Sequence, residues 1–197
     1  GNFKQGWEEY QWRWKCDEFA AENRKDFPQP MWDGSSLDGK SILIWQEQGT
    51  GDCIMFASLL VELQAHAQKI FVETEYRLLP LLERSFPTIH FHTAQIPPTP
   101  QLLSTTIDFQ SPIASLPRWF LTDEEDFPKR HAYLKASDHI TQKCRNRYQQ
   151  LAEGKTLVGI SWNSMNKSVG KQKSVPLEQL EPLLSLNDCF FINLQYE

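Results

Sequence analysis

The chain has 197 residues, a little more than one domain of roughly 150. With 40% hydrophobic and 23% charged residues it has the composition of a globular protein, which excludes a wholly disordered, collagenous or coiled-coil chain. Twenty basic against 25 acidic residues leave a net charge of −5, which argues against nucleic acid, and duplex DNA above all, as a partner.

No apolar run approaches the roughly 20 residues of a membrane span, and Gly1 to Tyr10 lacks the apolar stretch of an export signal. Cys16, Cys53, Cys144 and Cys189 are scattered, without a Cys-x-x-Cys pair. The expectation is four reduced, mostly buried thiols in a cytoplasm, with neither a zinc site nor a disulfide framework.

In chain order, Gly6 to Phe19 predicts a helix with Trp7, Tyr10 and Trp14 on one face. Aromatic residues at that spacing make a packing surface, so Arg13 and Trp14 are not read as a nucleic-acid patch. Asp26 to Lys40, rich in Pro, Gly, Ser and Asp, predicts a linker. Ser41 to Trp45 (SILIW) predicts a buried parallel strand, Gln46 to Gly51 a loop, and Asp52 to about Ala67 a helix with Ile54, Phe56, Leu59, Leu60 and Leu63 as its apolar stripe. Lys69 to Glu75 is a second strand, Arg77 to Phe86 a second helix, and Thr88 to Thr93 a third strand. Strand and helix in alternation predict an α/β fold with a parallel sheet.

Gln95 to Pro100 reads as a loop and Thr105 to Gln110 as a fourth strand, with Ser111 to Pro128 as irregular surface chain broken by prolines. Asp138 to Glu153 predicts a helix burying Ile140, Cys144, Tyr148 and Leu151, stopped by Gly154. The pattern then restarts: strand Thr156 to Trp162, polar loop Asn163 to Ser174, helix Pro176 to Leu186 and strand Cys189 to Leu194. One strand-helix-strand unit cannot bury both faces of a parallel pair, so this piece either adds to the first sheet or begins a truncated second domain.

Gly49-Thr50-Gly51-Asp52, between a strand and a helix, is the most informative stretch. Its glycines allow a sharp turn and close approach of a ligand, and the helix start presents free N–H groups. Asp52 has two readings: an N-cap accepting from Ile54 or Met55, or a carboxylate held at a ligand pocket as general base. Gly49-x-Gly51-x-x-Ile54, with Glu73 and Glu75 about 20 residues on, also echoes a dinucleotide fingerprint. Ile54 is too large for its third position, which calls for Gly or Ala. His90 and His92 share a strand face, but no third ligand is apparent, so no metal is assigned. Asp123 to Asp126 reads as a solvated acidic loop.

Gly6-Trp7-x-x-Tyr10-x-x-Arg13, Pro30-x-Trp32-x-Gly34, Leu37-x-Gly39-Lys40 and Glu47-Gln48-Gly49-x-Gly51-Asp52-x-x-x-Phe56-Ala57 follow one another in this order. Later come Ser115-Leu116-Pro117, Tyr133-Leu134, Val158 to Trp162, Lys173 to Leu177 and Asn193-Leu194-Gln195. In order and spacing these resemble bacterial tetratricopeptide-repeat proteins with a glycosyltransferase-like region of the heptosyltransferase and O-GlcNAc transferase group.

The resemblance implies a GT-B fold and divides the chain into four: 1–25 the end of a helical repeat, 26–40 a linker, 41–154 an N-terminal Rossmann-like lobe, and 155–197 the start of a truncated nucleotide-sugar lobe. It implies inverting sugar transfer from a nucleotide-sugar to a hydroxyl on a protein, lipid or glycan, with no further cofactor and with this chain incomplete. Asp52 matches the general base, with Gln48, Gly49, Thr50 and Gly51 about the substrate. Trp162, Asn163, Ser164 and Lys173 match the surroundings of the diphosphate, where Lys167, Lys171 and Lys173 supply positive charge. Lys173 stands where many relatives carry Arg, which keeps charge but loses the fork geometry. Two other expectations are a non-catalytic interaction module supporting upstream repeats that contact a protein partner, and a dinucleotide-binding Rossmann protein.

Overall fold

The computed structural model describes residues 1–23, 25–129, 132–164 and 170–195, in two compact units, 1–135 and 136–197. Lys167 therefore lies outside the described residues. No helix among the described residues is long and apolar enough to cross a membrane.

The first unit is an α/β layer built on a four-stranded parallel sheet of order β3-β2-β1-β4, with β1 Ser41–Trp45, β2 Lys69–Thr74, β3 His90–Thr93 and β4 Phe109–Pro112. This is the Rossmann-like arrangement expected of the sequence. Ile42, Leu43, Ile44 and Trp45 are all buried, which is why β1 reads as a continuous apolar run and not as an alternating one.

Alternation along the strands divides the core in two. Ile42, Ile44, Ile70 and Val72 meet Phe56, Leu59, Leu60, Leu63, Leu82 and Phe86 from α3 Thr50–Ala57, α4 Leu60–His66, α5 Leu79–Ser85 and the residues flanking them. Leu43 and Trp45 meet Phe27, Leu102 and Ile107, with Trp14 and Phe71 at the margin. One face thus carries three helices and the other a thin cover of loop chain.

Several boundaries differ from expectation. The first helix is broken into α1 Phe3–Tyr10, a 3₁₀ turn Gln11–Lys15 and α2 Asp17–Asn23, because Cys16 is extended, with ψ 112. The helix after the glycine loop starts at Thr50, before Asp52, and is interrupted at Ser58 and Leu59. The fourth strand falls at Phe109–Pro112, four residues beyond the expected start, since only there does the chain pair with β1.

The expected linker is packed structure. Phe27, Gln29 and Leu37 are buried, and Pro30 and Trp32 pair with the backbone of Gln110 along the outside of β4. Gly34 has φ +89, and a Cβ there would stand 2.4 Å from the Trp119 ring, so this turn requires glycine. Ile113 to Pro117, expected at the surface, is buried beneath α3, after which come α6 Pro117–Phe120 and an exposed acidic 3₁₀ turn at Glu124–Asp126.

The second unit contains α7 Asp138–Ala152, β5 Thr156–Ile160, α8 Glu181–Leu184 and β6 Cys189–Asn193, the strands paired in parallel. Ser137 caps α7 by accepting from the amide of Ile140, and left-handed Glu153 and Gly154 end it. The face expected to be buried is open: Ile140 is 59% and Leu151 52% exposed, Cys144 is exposed, and Ala152 alone on this helix is buried. The expected helix from Pro176 shrinks to a 3₁₀ turn and the single turn of α8.

The thiols also depart from expectation. They are free, but only Cys53 is buried; Cys16 and Cys144 are exposed and Cys189 is half-buried. Burial in the core pushes the Cys53 thiol up to about 11, which favours the protonated form.

Candidate functional site

The site follows from how β1 ends. Gln46 takes the last ladder bond, donating its amide to the Glu73 carbonyl, and its side chain bridges outward. Gln46 Oε1 accepts from Thr74 Oγ1 at 2.7 Å and the Glu75 amide at 3.1 Å, while its Nε2 donates to the Gln48 carbonyl at 2.8 Å. One side chain therefore ties the loop after β1 to the end of β2.

The next residue turns inward. Glu47 is fully buried and meets Arg13 Nη2 at 3.1 Å, and that guanidinium nitrogen also donates to Ser115 Oγ at 2.8 Å. Burial pushes the Glu47 carboxyl up and the Arg13 guanidinium down, and each partially offsets the other by its charge. Gln48 Nε2 donates to the Tyr10 hydroxyl at 2.6 Å, so two consecutive loop residues are held by the N-terminal segment.

Gly49 is the N-cap of α3, with extended backbone and no side-chain cap, which leaves the first amides of the helix uncapped by any side chain. Asp52 is thus not the N-cap; it stands in the first turn, half-buried, and makes no hydrogen bond or ion pair among the described residues. Its Oδ2 lies over Gly49, 3.4 Å from where a Cβ would be. Neither Gly49 nor Gly51 has a positive φ, and nothing stands within 4 Å of a Cβ built on Gly51. The backbone does not require glycine at Gly51; what glycine leaves there is room. Together these make an open shelf of helix amides with one carboxylate beside it, an arrangement that can hold an anion or a hydroxyl and accept a proton.

Thr50 closes the other side, donating to Glu75 Oε1, while Arg77 Nη2 reaches Glu75 Oε2 at 2.9 Å and Thr50 Oγ1 at 3.2 Å. Burial, the largest single influence, raises the Glu75 carboxyl, but the bonds from Thr50 and Arg77 and the Arg77 charge together outweigh it and hold the carboxyl below its ordinary range. Both acids of the dinucleotide pattern are thereby engaged: Glu75 by Thr50 and Arg77, and Glu73, fully buried, by Lys25 at 3.3 Å.

In the second unit, Trp162, Asn163 and Ser164 follow β5 and curl around Gln195 and Ser174. Gln195 Oε1 accepts from the amides of Trp162 and Asn163, and Ser174 Oγ bonds Asn163 Oδ1 and the Ser164 amide. A cavity of about 890 Å³ is lined there by Trp162, Asn163, Ser164, Lys171 and Gln195 among others. Lys173 is exposed and outside that lining, and among the described residues Lys171 is the cation that lines it.

His90 and His92 do share a face, stacked against Phe71 with ring centroids 5.3 and 6.2 Å away, and burial beside His90 lowers the His92 pKa. No group of three potential metal ligands occurs among the described residues.

The residues that reasoning along the sequence missed are Gln46, Arg13, Glu47, Ser115 and Gln195. Four of them stand inside the quoted motifs, but their partners lie far away in the chain, so no local spacing assigns them a role.

No family model and no solved structure matches the chain. Protein FlbA of Caulobacter vibrioides is 29% identical across the whole of this chain, which spans 35% of the length of FlbA.

Proposed function

We propose that this chain is part of a cytoplasmic glycosyltransferase-like bacterial protein that carries a sugar from a nucleotide-sugar to a hydroxyl acceptor with inversion. The observation that supports this most is Asp52: a carboxylate with no partner among the described residues, at the open start of a helix and at the carboxyl end of the sheet's first strand. In the reaction it takes the acceptor hydroxyl's proton as that oxygen bonds to the anomeric carbon. The bond from that carbon to the nucleotide diphosphate breaks, and the diphosphate leaves with the electron pair. To the second unit this reading assigns the nucleotide diphosphate, at the cavity lined by Trp162, Asn163, Ser164 and Lys171, with Lys173 as a further cation.

Asp52→Asn in the full-length protein tests it. Because Asp52 has no partner among the described residues, thermal stability stays within about 0.5 kcal/mol of wild type, while transfer from the nucleotide-sugar falls by roughly 10²- to 10⁴-fold, as for a lost general base. Full transfer by the variant would sink the proposal.

A second reading, a non-catalytic module that carries tetratricopeptide repeats and their protein partner, draws on the buried Arg13–Glu47 contact, which joins the N-terminal helices rigidly to the sheet. It predicts that Asp52→Asn changes nothing measurable.

A further inference from the structure

Open parallel sheets take their ligands in the crevice outside the carboxyl ends of the strands, where the strand order reverses. In the order β3-β2-β1-β4 that reversal lies between β1 and β4. Glu47 follows β1 there, Ser115 follows β4, and the Arg13 guanidinium is inserted between them, 3.1 Å from Glu47 Oε1 and 2.8 Å from Ser115 Oγ.

The insertion is built from several sides. Arg13 Nη1 donates to the Tyr10 carbonyl at 3.0 Å, and the guanidinium carbon stands 4.4 Å from the Tyr10 ring centroid and 5.0 Å from that of Trp14. Ser115 Oγ donates on to Gln11 Oε1, and the Tyr10 hydroxyl receives Gln48. The side chains of Arg13 and Glu47 are 8% and 0% exposed. A pair so dry gains little net stability over apolar residues of the same volume, so its use is to fix a register. Nη2 reaches Glu47 and Ser115 while Nη1 holds the Tyr10 carbonyl, two nitrogens fixed in one plane that the single ammonium of lysine does not supply.

We propose that Arg13 is a positioning residue. The N-terminal segment fills the switch-point crevice from within and, through Arg13 and Tyr10, fixes Glu47 and Gln48, the two residues from which Gly49, α3 and Asp52 depart. Ligand approach is thereby confined to the open shelf above Gly49 and Gly51. The consequence for transfer rests on the catalytic reading of Asp52; the consequence for the loop does not.

The test uses the full-length protein in two arms. In the first, Arg13→Met with Glu47→Leu removes both charges and keeps volume, so the chain still folds. Hydrogen exchange should show residues 46–52 exchanging at least tenfold faster, with β1 and β2 amides as protected as in wild type. Unchanged protection of 46–52, or a loss shared equally with the strands, overturns the proposal. In the second arm Arg13→Lys should lower kcat for transfer tenfold or more at constant KM, and the double variant, though stable, should not recover it. Recovery of transfer by the double variant would show a merely structural pair and overturn the proposal. If Asp52→Asn leaves transfer intact, the catalytic reading fails alone, and the exchange arm still decides the role of Arg13.

Discussion

The two units run the same strand-helix-strand pattern with opposite results. In the first, β1 lies between two neighbours with helices on one face and loop chain on the other, and four of its five residues are buried. In the second, β5 and β6 pair with only each other among the described residues: no residue of either strand is buried, and Leu157, Leu183, Leu186 and Leu194 are 41, 42, 46 and 60% exposed. Periodicity specifies a strand in both cases, but burial depends on how many strands share the sheet. A site held on β1 is therefore rigid by packing, whereas one on β5 depends on polar ties such as those of Gln195 and Ser174.

The largest expected effect tests that contrast directly. Leu60→Ala, at a fully buried position against the sheet, should lower unfolding free energy by about 2–5 kcal/mol through lost burial and the cavity left behind. Leu157→Ala, the corresponding truncation in β5, should cost under about 1 kcal/mol, since much of that side chain already meets water. Denaturant titrations of the two variants measure both, and comparable losses would break the contrast.

A step smaller is Gly34→Ala. The first unit closes its β4 edge with the turn around Gly34, where a methyl would both strain a backbone at φ +89 and strike the Trp119 ring. A loss of about 1–3 kcal/mol in thermal denaturation is expected. Gly51→Ala, where space is open and φ is ordinary, should cost no more than about 0.5 kcal/mol. An equal cost at both would mean that the shelf over Gly51 is not the open space described.

How much of this was legible in the sequence follows from the range of the interactions. SILIW could be read as a buried strand because burial on both faces leaves an apolar run, and the order of strands and helices gave the parallel sheet. The Asp52 loop was found for the same reason, as a glycine pair between two readable elements. What failed depended on distant partners. Ile140, Cys144, Tyr148 and Leu151 do recur at helical spacing, but in the described second unit Ile140, Cys144 and Leu151 stay exposed and Tyr148 is only half-buried. The segment from Asp26 to Lys40 has linker composition, yet Phe27 and Leu37 find cores elsewhere in the unit. Arg13 and Glu47 are 34 residues apart and Arg13 and Ser115 are 102 apart, so no window of local sequence contains the clamp.

The smallest expected effect concerns a place where the first unit buries something unfavourable. Glu73 points to the same side of the sheet as Trp45, its side chain is fully buried, and among the described residues its partner is Lys25, 25% exposed and 3.3 Å away. Burial pushes the Glu73 carboxyl above the ordinary 4.5, and the Lys25 charge pulls only part of the way back. A carboxyl raised in the folded state favours folding when protonated. That contribution is fully present below pH 4.5 and is lost as pH rises through the folded value. Glu73→Met removes the titration, keeps the volume and leaves the Lys25 ammonium to water. Relative to wild type the variant should therefore gain as pH rises, from no advantage at pH 4 to about 1 kcal/mol at pH 7.5, measured by denaturant titration at each pH. A variant less stable than wild type at pH 7.5 would show that Lys25 more than offsets the desolvation, and that the first unit gains from its buried charge just as it gains from its buried strands.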